Sequence, residues 1–347
     1  MRETVNLSSV EFLQQPAQRK NSVLGVLCFA ADAFDGKIPA DPEIPCMSVA
    51  MHRLDAADSV CEVWHGSGPL TQGQCGDIHY RHDEEVLFGV ITLPETLFDA
   101  DTGKTPLQQA TESAYRQVFA LLDALSFPYL FRFWNYIADI NTRSFGLERY
   151  QQFNLGRQDA FVACGRDVAG NVPAACALGV VRGPLSIAFL AGRGAPLSLE
   201  NPRQISAYQY PPQYGPRSPV FSRAALVRMG QDVVLFISGT ASIVGHATLH
   251  ANDVVAQTRE TIANIEAVLT EANRQSGKPG FDLAGLSYKV YVRHPADLAP
   301  IRAELARCVG AELKALYLQA DVCRQDLLLE IEAMAIHPQA FISGQGD

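Results

Sequence analysis

Apolar residues recur at helical spacing in two long stretches of the chain. After Thr105-Pro106, residues Ala110, Ala114, Val118, Leu121, Leu122 and Leu125 fall on one face. A threonine cap and a first-turn proline make this a helix running to about Ser126. After Asn252 or Asp253, Val255, Ile262, Ile265 and Leu269 repeat the pattern until the polar stretch NRQSGKPG. Each helix precedes a strand-like segment, LFRFWNYIAD (130–139) and YKVYVRHPAD (288–297), and both segments end in an Ala-Asp able to start a shorter helix. The order helix, strand, helix recurs at an offset of 158 residues, which points to two copies of one α+β unit. In the second copy DLAPIRAELARCVG reads as a helix carrying Leu298, Ile301, Leu305 and Cys308 on one face, followed by ALYLQADV and DLLLEIEAMAI as strands. Alternation in the last strand sets Leu328, Glu330 and Glu332 on one face, with Leu327, Leu329, Ile331 and Ala333 on the other. Further strands are expected at 84–93, 176–183 and 233–243. The Pro-, Tyr- and Arg-rich segment 200–223 has no sustained period and reads as a long loop of functional kind.

A length of 347 residues suits two units, divided here as 1–175 and 176–347. With 48% hydrophobic and 19% charged residues the chain can bury a full core, which excludes the disordered class. A net charge of −9 gives no electrostatic footing for nucleic acid or an anionic membrane, so any anionic ligand must be met locally. The 22 arginines against 6 lysines supply planar groups suited to carboxylates. The N-terminal MRETVNLSSVEFLQQPAQRK lacks an apolar signal core, and the apolar stretch near 174–191 is broken by Arg182 and Pro184, so a cytoplasmic location is expected. The eight cysteines, never closer than 12 positions, form no CxxC pair and read as reduced thiols.

Phosphate-binding, dinucleotide, nucleophile-elbow and HExxH motifs are absent. His79-Tyr-Arg-His82 with Asp83, Glu84 and Glu85 offers metal-ligand types, but a polar turn accounts for it equally. Glu330, flanked by leucines, must be paired, protonated or at a cavity wall. Desolvation there would prepare a general acid, with Glu332 the alternative and an outward, solvated carboxylate the plainer reading. Tyr150 and Arg157 share a face if their segment is helical. Arg293 alternates against Val290 and Val292, Arg217 lies in the Tyr/Pro loop, and Cys323 stands between two strands beside Arg324. Structural ion pairs and core packing are the alternatives for each, yet with Glu330 they suggest a polar pocket for a dicarboxylate.

Five segments carry a resemblance: ERYQQFNLGRQDAF (148–161), YQYPPQYGPRSPVFSRA (208–224), LFISGTASIVG (235–245), YVRHPAD (291–297) and YLQADVCRQDLLLEIEAMA (317–335). Together the chain resembles the chorismatase family, with Gly239 and Cys323 resembling its 3-hydroxybenzoate-forming type. The ending EIEA resembles the YjgF-like reactive-intermediate deaminases. The resemblance implies duplicated YjgF-like units, with mixed sheets packed against helices around a pseudo-trimeric, barrel-like core, and most of the site in the second unit. It implies chorismate as substrate, no metal or organic cofactor, and a monomer or small homo-oligomer. It makes Glu330 the acid that protonates the enolpyruvyl ether, with Cys323 aiding ring opening and a small Gly239 leaving room for the ring. The clamp it implies is Tyr150, Arg157, Tyr210 or Tyr214, and Arg293, with Arg217 nearby. Pyruvate and 3-hydroxybenzoate are the expected products, with 4-hydroxybenzoate as a further output. The alternatives are hydrolysis to a dihydroxycyclohexadiene carboxylate, an enamine or imine deaminase, and a non-catalytic metabolite binder.

Overall fold

Three β-sheets pack their inner faces together and carry helices outside two of them. The computed structural model describes residues 10–13, 20–33, 43–56, 59–100, 103–230, 232–276 and 280–338. Most of the N-terminal stretch read for a signal sequence, and the end of the polar stretch after the second helix, lie outside these. The first sheet holds β1 (Val10–Leu13), β2 (Val23–Ala30), β3 (Cys46–Ala50) and β4 (Val60–His65) in the order β1-β4-β2-β3.

The second unit contains β5 (Thr71–Cys75), β6 (Ile78–His82), β7 (Val86–Leu93), α1 (Pro106–Leu125) and β8 (Tyr129–Ala138). A small hairpin, β9 (Arg143–Ser144) and β10 (Leu147–Glu148), leads into α2 (Arg149–Ala163), β11 (Ala174–Val180) and β12 (Leu185–Gly192). The third contains β13 (Leu197–Leu199), β14 (Ala224–Met229), β15 (Asp232–Thr240) and the hairpin β16 (Ile243–Val244) and β17 (Ala247–Thr248). It continues through α3 (Val254–Ser276), β18 (Ser287–Val292), α4 (Leu298–Val309), β19 (Lys314–Gln319) and β20 (Leu329–Pro338). The two large sheets share one topology, β5-β6-β7-β12-β8-β11 and β13-β14-β15-β20-β18-β19. In each, a short helix joins a parallel pair, β8 to β11 and β18 to β19.

The expected helix starts and stops hold. Thr105 accepts from the Gln108 amide, Ser126 ends α1 in the left-handed region, and Asp253 accepts from the Ala256 amide. Two expectations need correction. A division at 175/176 passes through β11, because 174–180 and 185–192 pair with β8 and β7 of the second unit. The repeat is real, but an offset of 158 puts inward Arg132 onto Val290, which packs against α3, so the units align one pleat away. Residues 1–65 had carried no element in the sequence reading, yet their sheet contributes Leu27, Phe29, Val49 and Trp64 to the central core beside Phe88, Trp134, Phe236 and Leu318.

Six cysteines are free, but Cys28 and Cys61 form a disulfide, which corrects the reading of all eight as thiols. They sit directly opposite each other on β2 and β4, a pairing across 33 residues that no local spacing displays. His79 and His82 lie on strand β6, and Asp83 after them accepts from the Glu85, Val86 and Ser67 amides, so the acidic part of the stretch is a polar turn. No group of three or more His, Cys, Asp or Glu suited to a metal occurs among the described residues. No described helix is long and apolar enough to cross a membrane.

Candidate active site

β20 lies between β15 and β18, so its polar residues have no route to bulk water on the strand flanks. Glu330 and Glu332 are each only 4% exposed, which removes the solvated reading for both. Their surroundings then separate them. Glu332 bonds to the Arg132 guanidinium, to Lys289 Nζ at 2.5 Å and to Trp134 Nε1 at 3.2 Å. Burial opposes its charge, but Lys289 and Arg132 outweigh that and hold the carboxyl down to about 2. Burial pushes Glu330 up to about 8, with the Glu332 charge adding to the rise and Arg132 opposing it. One face of a strand therefore carries an ionised and a protonated carboxyl near neutral pH.

Gly239 explains how the Glu330 carboxyl fits. The β15–β20 register shifts between Ile237 and Thr240, so two residues, Ser238 and Gly239, face one on β20. Ser238 Oγ is drawn away, donating to Ser222 O and accepting from the Ala175 amide. A Cβ at 239 would stand 1.9 Å from Glu330 Oε1. The missing side chain thus makes room for the carboxyl itself, where the sequence reading had assigned that room to the substrate ring.

A cavity of about 480 Å³, within the usual range for small-molecule sites, lies between the second and third units. From α2 it receives Tyr150, Gln151 and Arg157, so the helical spacing read for positions 150 and 157 does put both on one wall. β11 contributes the small residues Ala175, Cys176 and Ala177, and Gly239, Ala241 and Glu330 lie across from them. The long loop supplies Tyr210, Tyr214 and Arg223, and the turn before β20 supplies Cys323 and Arg324. Tyr214 donates to His246 O at 2.7 Å, and Arg324 lies 4.0 Å from the Tyr214 ring and 5.1 Å from that of Tyr210. Tyr210 accepts from Arg223 Nη2 at 2.9 Å.

Three guanidinium groups on this wall keep a buried donor without a partner among the described residues: Arg157 Nε, Arg223 Nε and Arg324 Nη2. Arg157 is 2% exposed and spends another donor on Asn154 Oδ1 at 2.7 Å. Unmet buried donors are costly, so three converging on one cavity suit an anionic ligand with more than one acceptor group.

Arg293 and Arg217 stand apart from this lining. β18 ends at Val292, and the Arg293 donors are all engaged: Nε with Leu327 O, Nη1 with Asn141 Oδ1 and Asp321 Oδ1, Nη2 with Val322 O and Arg324 O. Arg293 fastens the turn that carries Cys323 and Arg324 and does not line the cavity where the sequence expectation put it in the clamp. Arg217 is exposed in the loop. The Cys323 thiol lines the cavity half-buried, and burial first, then the Glu330 charge, pushes it up to about 12, so it is a neutral thiol. Arg223, Arg324 and Cys176 were not singled out by sequence. Two of them lie inside the family-like segments, which was the available signal.

A doubled α+β enzyme, with a buried carboxyl held above its ordinary range facing an arginine-lined cavity, is the class this fold and site define. Residues 62–191 match the family described as chorismatase FkbO/Hyg5-like, N-terminal. A Streptomyces rapamycinicus protein named chorismatase is 38% identical over 297 residues, covering 83% of this chain and 86% of its own. A Streptomyces hygroscopicus 3-hydroxybenzoate synthase is 37% identical over 304 residues, covering 85% of this chain and 86% of its own. A crystal structure of a chorismatase superposes with a TM-score of 0.85 at 34% identity, over 96% of this chain and 99% of that one. The chain belongs to the chorismatase family and is an enzyme of it.

Proposed function

We propose that the enzyme cleaves chorismate to pyruvate and 3-hydroxybenzoate, with Glu330 as general acid. The observation that carries this reading is a carboxyl raised to about 8 at the wall of a cavity that also holds three arginines with open donors. Chorismate presents two carboxylates for those donors and an enol ether whose methylene takes a proton. Glu330 gives its proton to that methylene, forming the C–H bond of the future pyruvate methyl group and leaving a cation that weakens the ring C–O bond. The ring's own 4-hydroxyl oxygen then displaces that bond and its proton returns to Glu330, so pyruvate leaves and an arene oxide remains. Ring opening and loss of a ring proton give the aromatic product, and one chorismate becomes two products with nothing added. Intramolecular attack has the advantage of proximity over a captured water. The neutral Cys323 thiol stands where it can donate weakly to the opening oxide. Arg157, Arg223 and Arg324 form the clamp in this reading, with Tyr150, Tyr210 and Tyr214 packing its walls.

Incubation with chorismate, followed by chromatography and enzymatic assay of pyruvate, tests it. Equimolar pyruvate and 3-hydroxybenzoate are expected. The diol or 4-hydroxybenzoate as main product would reassign the branch, and unconsumed chorismate would overturn the reading.

A further inference from the structure

We infer that the buried quartet Glu62–Lys289–Glu332–Arg132 is the positioning device that keeps Glu330 supplied with its proton, by engaging Lys289 and Arg132 and fixing one negative charge on its face of β20. This rests on the reading of Glu330 as the acid. Lys289 Nζ lies 2.6 Å from Glu62 and 2.5 Å from Glu332, and Arg132 closes on the other side of Glu332. All four side chains are at most 5% exposed, and the members come from β4, β18, β20 and β8, so every sheet contributes. β18 pairs Lys289 with Glu332 but Tyr291 with Glu330, which gives the ammonium to one glutamate and withholds it from the other.

The groups around Glu330 are otherwise neutral or engaged. Cys176 on β11, Tyr136 on β8, Tyr291 on β18, Tyr150 on α2 and Cys323 before β20 are all held in their uncharged forms by burial first. Arg132 is the cation that reaches Glu330, and its charge is matched by Glu332. The cavity lining adds Arg143, Arg157, Arg223 and Arg324, with Glu148 and Asp326 as its other carboxyl groups, and a bound dicarboxylate offsets two of the four positive charges. That lining is the same in wild type and in quartet variants, so a change in the pH profile of kcat between them reads the quartet, whose Glu332 and Arg132 are the charges that act on Glu330.

Glu332→Gln leaves an excess positive charge beside Glu330. Its alkaline limb in kcat should move to lower pH by about one unit or more, the usual effect of a nearby charge. Arg132→Gln should move the limb the other way. Opposite shifts from two substitutions in one cluster are what a merely structural defect does not produce. If Glu332→Gln does not fold, the double variant Glu332→Gln with Lys289→Met keeps the interior charge balanced and should still show the downward shift, because Glu332 shares the Glu330 face while Lys289 lies a strand away. A limb that stays in place, or moves upward, in either Glu332 variant overturns the inference. Failure of the underlying reading is separate: a Glu330→Gln enzyme with wild-type turnover would show that Glu330 is not the acid at all.

Discussion

Replacing Gly239 by alanine sets the room for the acid against room for the ring. The new Cβ would lie 1.9 Å from Glu330 Oε1, 2.7 Å from its carboxyl carbon and 3.2 Å from Cys176 Cβ. Ordinary van der Waals contact begins at 3.4 Å, so the carboxyl must retreat by about 1.5 Å into a site whose walls are closely packed. A displacement of about 1 Å at a reacting group can cost roughly 10²-fold in rate, so kcat should fall by about that factor. Overpacking should also lower stability by about 1–3 kcal/mol. The assay is steady-state pyruvate release, with chromatography of the aromatic products from the same samples. Had the glycine served only the ring pose, chorismate would still be consumed at the usual rate and only the product ratio would change. That outcome, wild-type kcat with an altered ratio, would refute the steric argument.

Other perturbations read other parts of the site. Glu330 is raised in the folded chain from 4.5 to about 8, so its contribution to stability is full below 4.5 and is lost as pH rises through 8. Glu330→Gln should therefore match wild type near pH 4 and be more stable by about 3 kcal/mol at pH 7 in urea unfolding. A pH-independent difference would contradict the raised carboxyl. Arg324→Met should raise KM for chorismate by roughly 10-fold or more, from the loss of a charge-assisted bond of about 1.5–3 kcal/mol. Arg293→Met should instead lower unfolding free energy by about 2–4 kcal/mol; an unchanged KM in the first, or unchanged stability in the second, would reverse their assignments. Cys323, as a neutral thiol, should resist iodoacetamide at pH 8 in the folded enzyme, and rapid alkylation would show a thiolate there.

The parts legible in the sequence were those with local signals. The Thr105 cap, the first-turn proline and the apolar faces of α1 and α3 all describe one segment each, and the helical spacing of Tyr150 and Arg157 survived intact. The alternation in LEIEA put Glu330 and Glu332 on one face but could not choose between them, because the choice is made by Lys289 and Arg132 on two other strands. Two-sided burial hid β12, whose residues Leu185–Gly192 are all buried and so show no alternation. The Cys28–Cys61 pairing and the first sheet depend on contacts across many residues, which no period reveals. Arg293 looked like a ligand because it interrupts an apolar alternation. Its partners are backbone oxygens and the Asp321 carboxylate in the turn after β19, with the Asn141 carboxamide from the turn after β8, and only the folded chain displays them.

The central claim is that Glu330 delivers the proton that starts pyruvate release, and pyruvate formation from chorismate by wild type and Glu330→Gln across pH 6 to 10 tests it most directly. Wild-type kcat should hold level and fall above about 8, while Glu330→Gln should be slower by about 10²–10⁴-fold with no such limb. Near-wild-type turnover in Glu330→Gln, with the same fall above about 8, would contradict the account.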